Sequence, residues 1–239
     1  MNYPLCIFLG VLPSVAWLLF FLRKDVHPEP NRMVIRIFLY GMLISLPAIL
    51  IEWLFIGGLE KLKLSFLFGS ILQWFIGVAL IEEFLKYSVV RKKVLSSPEL
   101  DEPSDLILYM IISALGFAAL ENILIFLRPE SFSTIYQSFL LSLTRFLGGT
   151  FLHALCSGML GYFLVLSFFY LKKQKIIFFL GLVVVTALHG LYDFSIILSS
   201  TERDLRFLIV PGLILFFLAI FVSLSFRKIK GQLSVCKIS

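Results

Sequence analysis

The stretch FLIVPGLILFFLAIFVSLSF, residues 207–226, contains no charged side chain. An α-helix needs roughly 20 apolar residues to cross the hydrocarbon core of a bilayer, so this stretch alone predicts a membrane span. Six further apolar stretches precede it, near residues 3–22, 34–57, 66–90, 106–127, 137–170 and 176–199. The fifth is long for one span. It predicts either one span or an interfacial or re-entrant piece followed by a span near 149–170.

The composition of the 239-residue chain also indicates a membrane protein. Hydrophobic residues make up 59% of it, charged residues 15%, and its mean hydropathy is +0.98, whereas soluble domains contain roughly 25% charged residues. The net charge of +6 is explained by Lys and Arg collected at cytoplasmic helix ends, and we expect no nucleic-acid partner. We therefore predict a single all-α transmembrane bundle over residues 1–239, surrounded by the lipid bilayer of the cell membrane.

The distribution of basic residues predicts the orientation of this bundle. Fourteen Lys and Arg residues lie in the first, third and fifth connections and the C-terminal tail, whereas five lie in the second, fourth and sixth connections. Because cytoplasmic loops carry the excess of Lys and Arg, we expect the N-terminus outside and the C-terminus in the cytoplasm. The agreement among alternate connections also supports an odd number of spans.

Several ionisable side chains lie inside the predicted spans, where each costs about 2.5–3.5 kcal/mol on insertion scales. They are Glu52, Glu82, Glu83, Lys86, Glu121, Arg145, His153, His189 and Asp193. The carboxyl groups outnumber the permanent cations. Either some carboxyls are protonated, or they bind a cation, or they face a water-filled cavity. Each option describes a functional site rather than a scaffold.

Helical spacing predicts which of these side chains meet. Glu82 and Lys86 are four residues apart, as are His189 and Asp193, so each pair shares one helix face. In the second pair the carboxylate can fix the tautomer of the imidazole, or both groups can act as ligands. Both pairs can also be structural: an internal ion pair and a bridge between helices.

Carboxylates beside histidines favour hydrolytic chemistry. A carboxylate takes a proton from water, directly or with the help of a metal, and a second polar group stabilises the oxyanion. His153 is followed by Ser157 and Gly161 in a stripe of small residues, where another helix can approach closely. The same histidine can equally be a hydrogen-bonded packing group.

The polar groups inside the spans also fit roles other than hydrolysis. Glu52 lies near the outer end of its span, and we expect it to snorkel or pack. Arg145 is either an interfacial anchor or a partner for Glu121. A proton- or cation-coupled transporter would use the same groups as a relay, although the sequence has no inverted repeat that would support one. A catalytically inert membrane scaffold would carry them without chemistry.

The ordered motifs of the chain resemble the PrsW family of bacterial intramembrane proteases, over roughly residues 20–195. The segment Asp25…Pro28-Glu29-Pro30 is similar to the acidic, proline-rich opening loop of that family. The later motifs are, in chain order, EEFLK at 82–86, FAALEN at 117–122, the stretch from His153 to Gly161-Tyr162, and HGLYD at 189–193. The family is distantly related to the CAAX prenyl endopeptidases.

The resemblance implies a multi-pass protease that cuts single-span, membrane-anchored proteins, with anti-sigma factors as the known type of substrate. It implies that Glu82 and Glu83 activate water and that His153 and His189 complete the catalytic centre. The supporting residues, which would orient these groups or bind the oxyanion, are Lys86, Glu121, Asn122 and Asp193.

Metal dependence stays open in the sequence. The protein has either no cofactor or a divalent metal such as zinc, with Glu82, Glu121, His153 and His189 as candidate ligands. The sequence lacks the His-Glu-x-x-His pair of site-2 zinc proteases and the Gly-x-Gly-Asp motif of presenilin-type proteases.

Overall fold

The structure is a computed structural model that describes residues 3–24, 27–128 and 134–230. Over these residues it is helical and contains no β-strand. Seven helical segments are long and apolar enough to cross a membrane, which confirms the predicted all-α bundle of seven spans. Asp25 and the end of the basic C-terminal tail, 231–239, lie outside the described residues. The orientation of the termini and the assignment of 1–239 as one domain stay predictions.

The helices follow the predicted spans to within a few residues at most ends. In chain order they are α1 (Tyr3–Leu22), α2 (Asn31–Glu60), α3 (Phe66–Ile71), a π-helical segment (Leu72–Leu80), α4 (Ile81–Lys93), α5 (Pro103–Phe126), α6 (Ile135–Leu147), α7 (Gly149–Phe169), a 3₁₀ turn (Leu171–Lys173), α8 (Gln174–Glu202), a second 3₁₀ turn (Leu205–Leu208) and α9 (Ile209–Lys230).

The long fifth segment consists of two helices. Gly148, with φ −108° and ψ −99°, ends α6 and precedes α7. Trp17 of α1 supports the break, because its Nε1 donates to the carbonyl of Phe146 at 2.8 Å and its ring stacks on Phe151 with centroids 4.1 Å apart. The 13-residue α6 is about 20 Å long at 1.5 Å per residue, so it is too short to cross the hydrocarbon core by itself.

The third span contains a π-helical segment between α3 and α4. Two aromatic side chains pack against glycines here: a Cβ on Gly77 would lie 2.5 Å from Phe55 of α2, and a Cβ on Gly190 of α8 would lie 2.8 Å from Phe75. The segment therefore packs closely on α2 and on the part of α8 next to His189. π-helical turns are frequent at functional sites, and α4 begins directly after this one.

α5 is the central helix of the bundle and is buried along most of its length. It packs against α1, α2 and α7. Gly116 and Gly41 allow the backbones of α5 and α2 to touch, since a Cβ on either would lie 2.0–2.1 Å from a carbonyl oxygen of the other helix. On the other side, a Cβ on Gly161 of α7 would lie 2.8 Å from the Cα of Ile107. These contacts fix the positions of the polar residues of α5 relative to α7.

Candidate active site

The ammonium group of Lys86 lies at the centre of a buried polar cluster. Its Nζ is 2.9 Å from Glu82 Oε2, 2.8 Å from Glu83 Oε1 and 2.7 Å from His153 Nδ1. An ammonium has three N–H donors and no acceptor, so these bonds use all three. The ring of Phe117 covers the group, with its centroid 4.5 Å from Nζ. Lys86 therefore joins both carboxylates of α4 to the histidine of α7.

The hydrogen bonds of His153 determine its tautomer. Its Nδ1 accepts from Lys86, so the proton of the neutral ring is assigned to Nε2. Nε2 in turn donates to Glu121 Oε2 at 2.8 Å. The ring is buried and is held from both sides, which fixes its orientation.

His189 lies between carboxylates of two helices. Its Nδ1 is 3.0 Å from Glu83 Oε1, and its Nε2 is 3.3 Å from Asp193 Oδ2 and 3.9 Å from Glu82 Oε2. The contact with Asp193 follows from the four-residue spacing on α8. The rings of His153 and His189 meet edge to face with centroids 5.1 Å apart, so four helices contribute to one site.

Arg145, in the last turn of α6, supports the cluster from the side. It donates through Nη2 to Glu121 Oε2 at 2.7 Å and through Nε to Asn122 Oδ1 at 2.5 Å. Asn122 also donates to Thr150 Oγ1 at 2.9 Å. Gly149 permits this arrangement, because a Cβ there would lie 2.5 Å from the guanidinium. Arg145 is thus the partner of Glu121 and not an interfacial anchor.

The two adjacent glutamates have different surroundings. Glu83 is completely buried; its Oε1 accepts from Lys86 and His189, and its Oε2 accepts from Ser157 at 2.8 Å. Glu82 lines a cavity of about 730 Å³, together with Glu121, His153, His189 and Asp193. Glu82 therefore faces the cavity, whereas Glu83 lies behind it.

The cavity extends from the cluster toward one end of the bundle. Its wall includes Glu52 and Ile56 of α2, Gln73 of the π-helical segment, Arg128 just beyond the end of α5, and Thr144 of α6. These residues lie on the side of the second and fourth connections, which the Lys and Arg count predicts to be outside. Glu52 is part of this cavity wall. Of the two expected roles, snorkelling or packing, its buried carboxylate oxygen agrees with packing.

A divalent metal fits one group of side chains in the cluster. Glu82, Glu83, His153 and His189 are all buried, and each offers one ligand atom within 4.8 Å of the others. Two carboxylate oxygens and two imidazole nitrogens are a donor set that zinc accepts. By distance, Glu83 and not Glu121 belongs to this group. Glu121 instead bonds to Arg145 and to the far nitrogen of His153. Lys86 occupies the space next to three of the four donors.

All of the predicted site residues join one connected network. They are Glu82, Glu83, Lys86, Glu121, Asn122, His153, His189 and Asp193. Sequence reasoning missed Thr150, which no motif marks, and the bond from Ser157 to Glu83, although Ser157 was visible in the stripe of small residues. It also placed Glu52 outside the site.

Comparison with known proteins assigns the chain to a family. A sequence model described as "PrsW family intramembrane metalloprotease" matches residues 29–224. The chain belongs to this family. Protease PrsW of Geobacillus kaustophilus (strain HTA426) is 34% identical to it over 195 residues, 81% of this chain and 80% of that protein. Protease PrsW of Bacillus subtilis (strain 168) is 33% identical over 187 residues, 77% of this chain and 79% of that protein. No solved structure matches the chain.

Family membership and the seven apolar helices together define the general activity. The protein is a PrsW-type intramembrane protease, a multi-pass protein of the cell membrane. It acts on substrates that are embedded in the lipid bilayer. This favours the protease over the transporter and scaffold alternatives.

Proposed function

We propose that this protease hydrolyses a peptide bond in single-span, membrane-anchored proteins of the anti-sigma-factor type, by means of a water activated by Glu82. The observation that carries the proposal is the convergence of Glu82, Glu83, His153 and His189, whose donor atoms lie within 4.8 Å of one another at a cavity of about 730 Å³. A cavity of this size accommodates several side chains of an unwound substrate segment.

Glu82 is the residue best placed to act as the general base. It lines the cavity, and in the described part of the chain its hydrogen bond involves Oε2 alone, so Oε1 can accept a bond from water. The proton of that water passes to the carboxylate as the oxygen attacks the carbonyl carbon, and later passes to the leaving amide nitrogen. Glu83, which accepts three hydrogen bonds from neighbouring side chains, acts as a positioning residue for Lys86 and His189.

The tetrahedral oxyanion needs a hydrogen-bond donor at the position that the oxygen will occupy. His189 lines the cavity, and its Nε2 lies 3.9 Å from Glu82 Oε2. We assign the oxyanion contact to this nitrogen, whose N–H is shared with Asp193 Oδ2 at 3.3 Å, while Glu83 holds the ring through Nδ1 at 3.0 Å. Asn122 is buried and bonded at both ends of its amide, so its role is to orient Arg145 rather than to bind the oxyanion. No acyl-enzyme is required.

A divalent metal would be held by Glu82, Glu83, His153 and His189. When bound, such an ion lowers the pKa of a coordinated water and polarises a carbonyl.

The test is the cleavage of a panel of single-span proteins in reconstituted vesicles by wild type, Glu82→Gln and Glu60→Gln. Glu60→Gln is the matched control, because it alters an exposed carboxylate at the end of α2, a helix that also contributes to the cavity wall. We expect Glu82→Gln to reduce kcat by about 10²–10⁴-fold and Glu60→Gln to cleave like wild type. Loss of cleavage with a chelator and recovery with zinc would identify a metalloprotease. Equal cleavage by Glu82→Gln and wild type would contradict the assignment of the base.

A further inference from the structure

The wall of the cavity beyond the catalytic cluster is mostly apolar and contains one acid. On α2, Ile49, Glu52 and Ile56 line it; they are three and four residues apart and therefore share one helix face. Trp74 and Val78 of the neighbouring π-helical segment, also four residues apart, line the same space. This pocket has apolar sides and a carboxylate among them.

Glu52 differs from the other carboxylates that line the cavity. Glu82 pairs with Lys86 at 2.9 Å, Glu121 with Arg145 at 2.7 Å, and Asp193 with His189 at 3.3 Å. In contrast, Glu52 Oε1 is buried and has no hydrogen-bond partner among the described residues, and no cation of the described chain lies within ion-pairing distance of it. A buried polar oxygen without a partner is costly, so this position is suited to receive a donor from outside the chain.

We propose that Glu52 is a specificity residue that binds the side chain of a Lys or Arg in the substrate, close to the scissile bond. The inference rests on the proposed proteolysis at the adjacent cluster. Lys and Arg combine a long aliphatic stem with a cationic end, which matches the apolar walls and the carboxylate. A basic residue is costly inside a bilayer, and the bond to Glu52 offsets that cost in the bound substrate.

Substrate side chains of a different kind fit this pocket less well. An acidic side chain would meet a cavity lined by four carboxylates and two guanidinium groups, one of which, Arg145, is already paired with Glu121. The carboxylates are Glu52, Glu82, Glu121 and Asp193, and the second guanidinium is that of Arg128. An apolar side chain would fill the space but leave Glu52 Oε1 without a donor, which carries the penalty of a buried unsatisfied acceptor. The substrate class is therefore a membrane-anchored protein with a basic residue near the cleavage site.

The test is a matched set of single-span reporters in vesicles. After the cleavage site is mapped by mass spectrometry, each of the four positions on either side is changed to Lys or to Gln. For every position the ratio of kcat/KM for the Lys reporter to that for the Gln reporter is measured with wild type, Glu52→Gln and Glu60→Gln. At one position we expect wild type and Glu60→Gln to prefer Lys by about 10- to 100-fold, the value of one charge-assisted bond, and Glu52→Gln to lose that preference.

A charge reversal gives a second, independent readout. Glu52→Lys is expected to prefer an Asp reporter over the Lys reporter at the same position. A wild type without preference for Lys at any position, or a Glu52→Gln variant with the wild-type ratio, would overturn the inference while cleavage itself persists. Failure of the proposed function looks different, since Glu82→Gln would then cleave every reporter as wild type does.

Discussion

Acidic side chains lie close together at two separate places in this molecule, and the two groups have different surroundings. One contains Glu82 and Glu83 with the two histidines; the other contains Glu29, Asp101 and Asp105 at the start of α5. By distance alone, either could hold a metal ion.

The group at the start of α5 is explained by local structure. Asp105 Oδ2 accepts from the backbone N–H groups of Asp101 and Glu102, at 3.2 and 2.7 Å, and forms a capping box with Glu102 at the first turn of the helix. Tyr109 donates to Glu29. The carboxylates of Asp105 and Glu29 are occupied by the backbone and a phenol, and Asp101 is exposed. In contrast, the carboxylates of α4 are bonded to Lys86, and Glu82 borders a cavity. Proximity of carboxylates is therefore a weak indicator of a catalytic site, and the identity of the donors is a strong one.

Removal of Lys86 should have the largest effect on stability. In Lys86→Met the carboxylates of Glu82 and Glu83 lose a common cation inside the bundle, and breaking a buried ion pair from one side costs about 3–5 kcal/mol. We expect the free energy of unfolding in detergent micelles to fall by that amount. Lys61→Met, at an exposed position after α2, is the matched control and should change it by less than about 0.5 kcal/mol. A Lys86→Met protein as stable as the control would show that the two carboxylates do not depend on this cation.

Replacement of Asp193 tests the positioning of His189. Asp193→Asn keeps an acceptor near Nε2 but removes the charge, and loss of such an orienting partner reduces activity by about 10- to 100-fold. We expect this loss in kcat with KM changed less than about twofold, because the substitution acts on the orientation of the His189 ring and keeps the size of the side chain that lines the cavity. Asp204→Asn, which alters a carboxylate paired with Arg206 between α8 and α9, is the control. A change confined to KM would place Asp193 in substrate binding instead.

Local patterns predicted the parts of the site that lie on single helices. The spacing of Glu82 with Lys86 and of His189 with Asp193 predicted both contacts, and runs of apolar residues predicted the seven spans. Depth along the helices was more difficult to predict. At 1.5 Å per residue, Glu82 lies about 13 Å from the basic cluster at Arg91, and Glu121 about 20 Å from the end of its span that is predicted to be cytoplasmic. The structure nevertheless joins Glu82 to the network of Glu121, beside a cavity that extends to the opposite end.

Features that depend on packing between helices could not be predicted from the sequence. The π-helical segment has a single polar side chain, Gln73, so its hydrophobic pattern is too weak to reveal the wider turn. Its position reflects the packing of Phe55 against Gly77 and of Phe75 against Gly190. The bond from Lys86 to His153 joins residues 67 positions apart. The difference between Glu82 and Glu83, which are neighbours in sequence, appears only when α7 and α8 are in place.

The carboxylates at the start of α5 should matter for stability alone, and this is the smallest effect. Asp105→Ala removes the acceptor for two backbone N–H groups, and loss of a helix cap costs about 0.5–2 kcal/mol. Asp101→Ala is the control, because the backbone N–H of residue 101 can still donate to Asp105 Oδ2. We expect Asp105→Ala to lower the free energy of unfolding by about 1 kcal/mol, while the folded protein retains the kcat and KM of wild type in the vesicle assay. If Asp105→Ala instead lowered kcat at unchanged stability, the second group would belong to the catalytic machinery, and the contrast in donors would not separate a capping site from an active site.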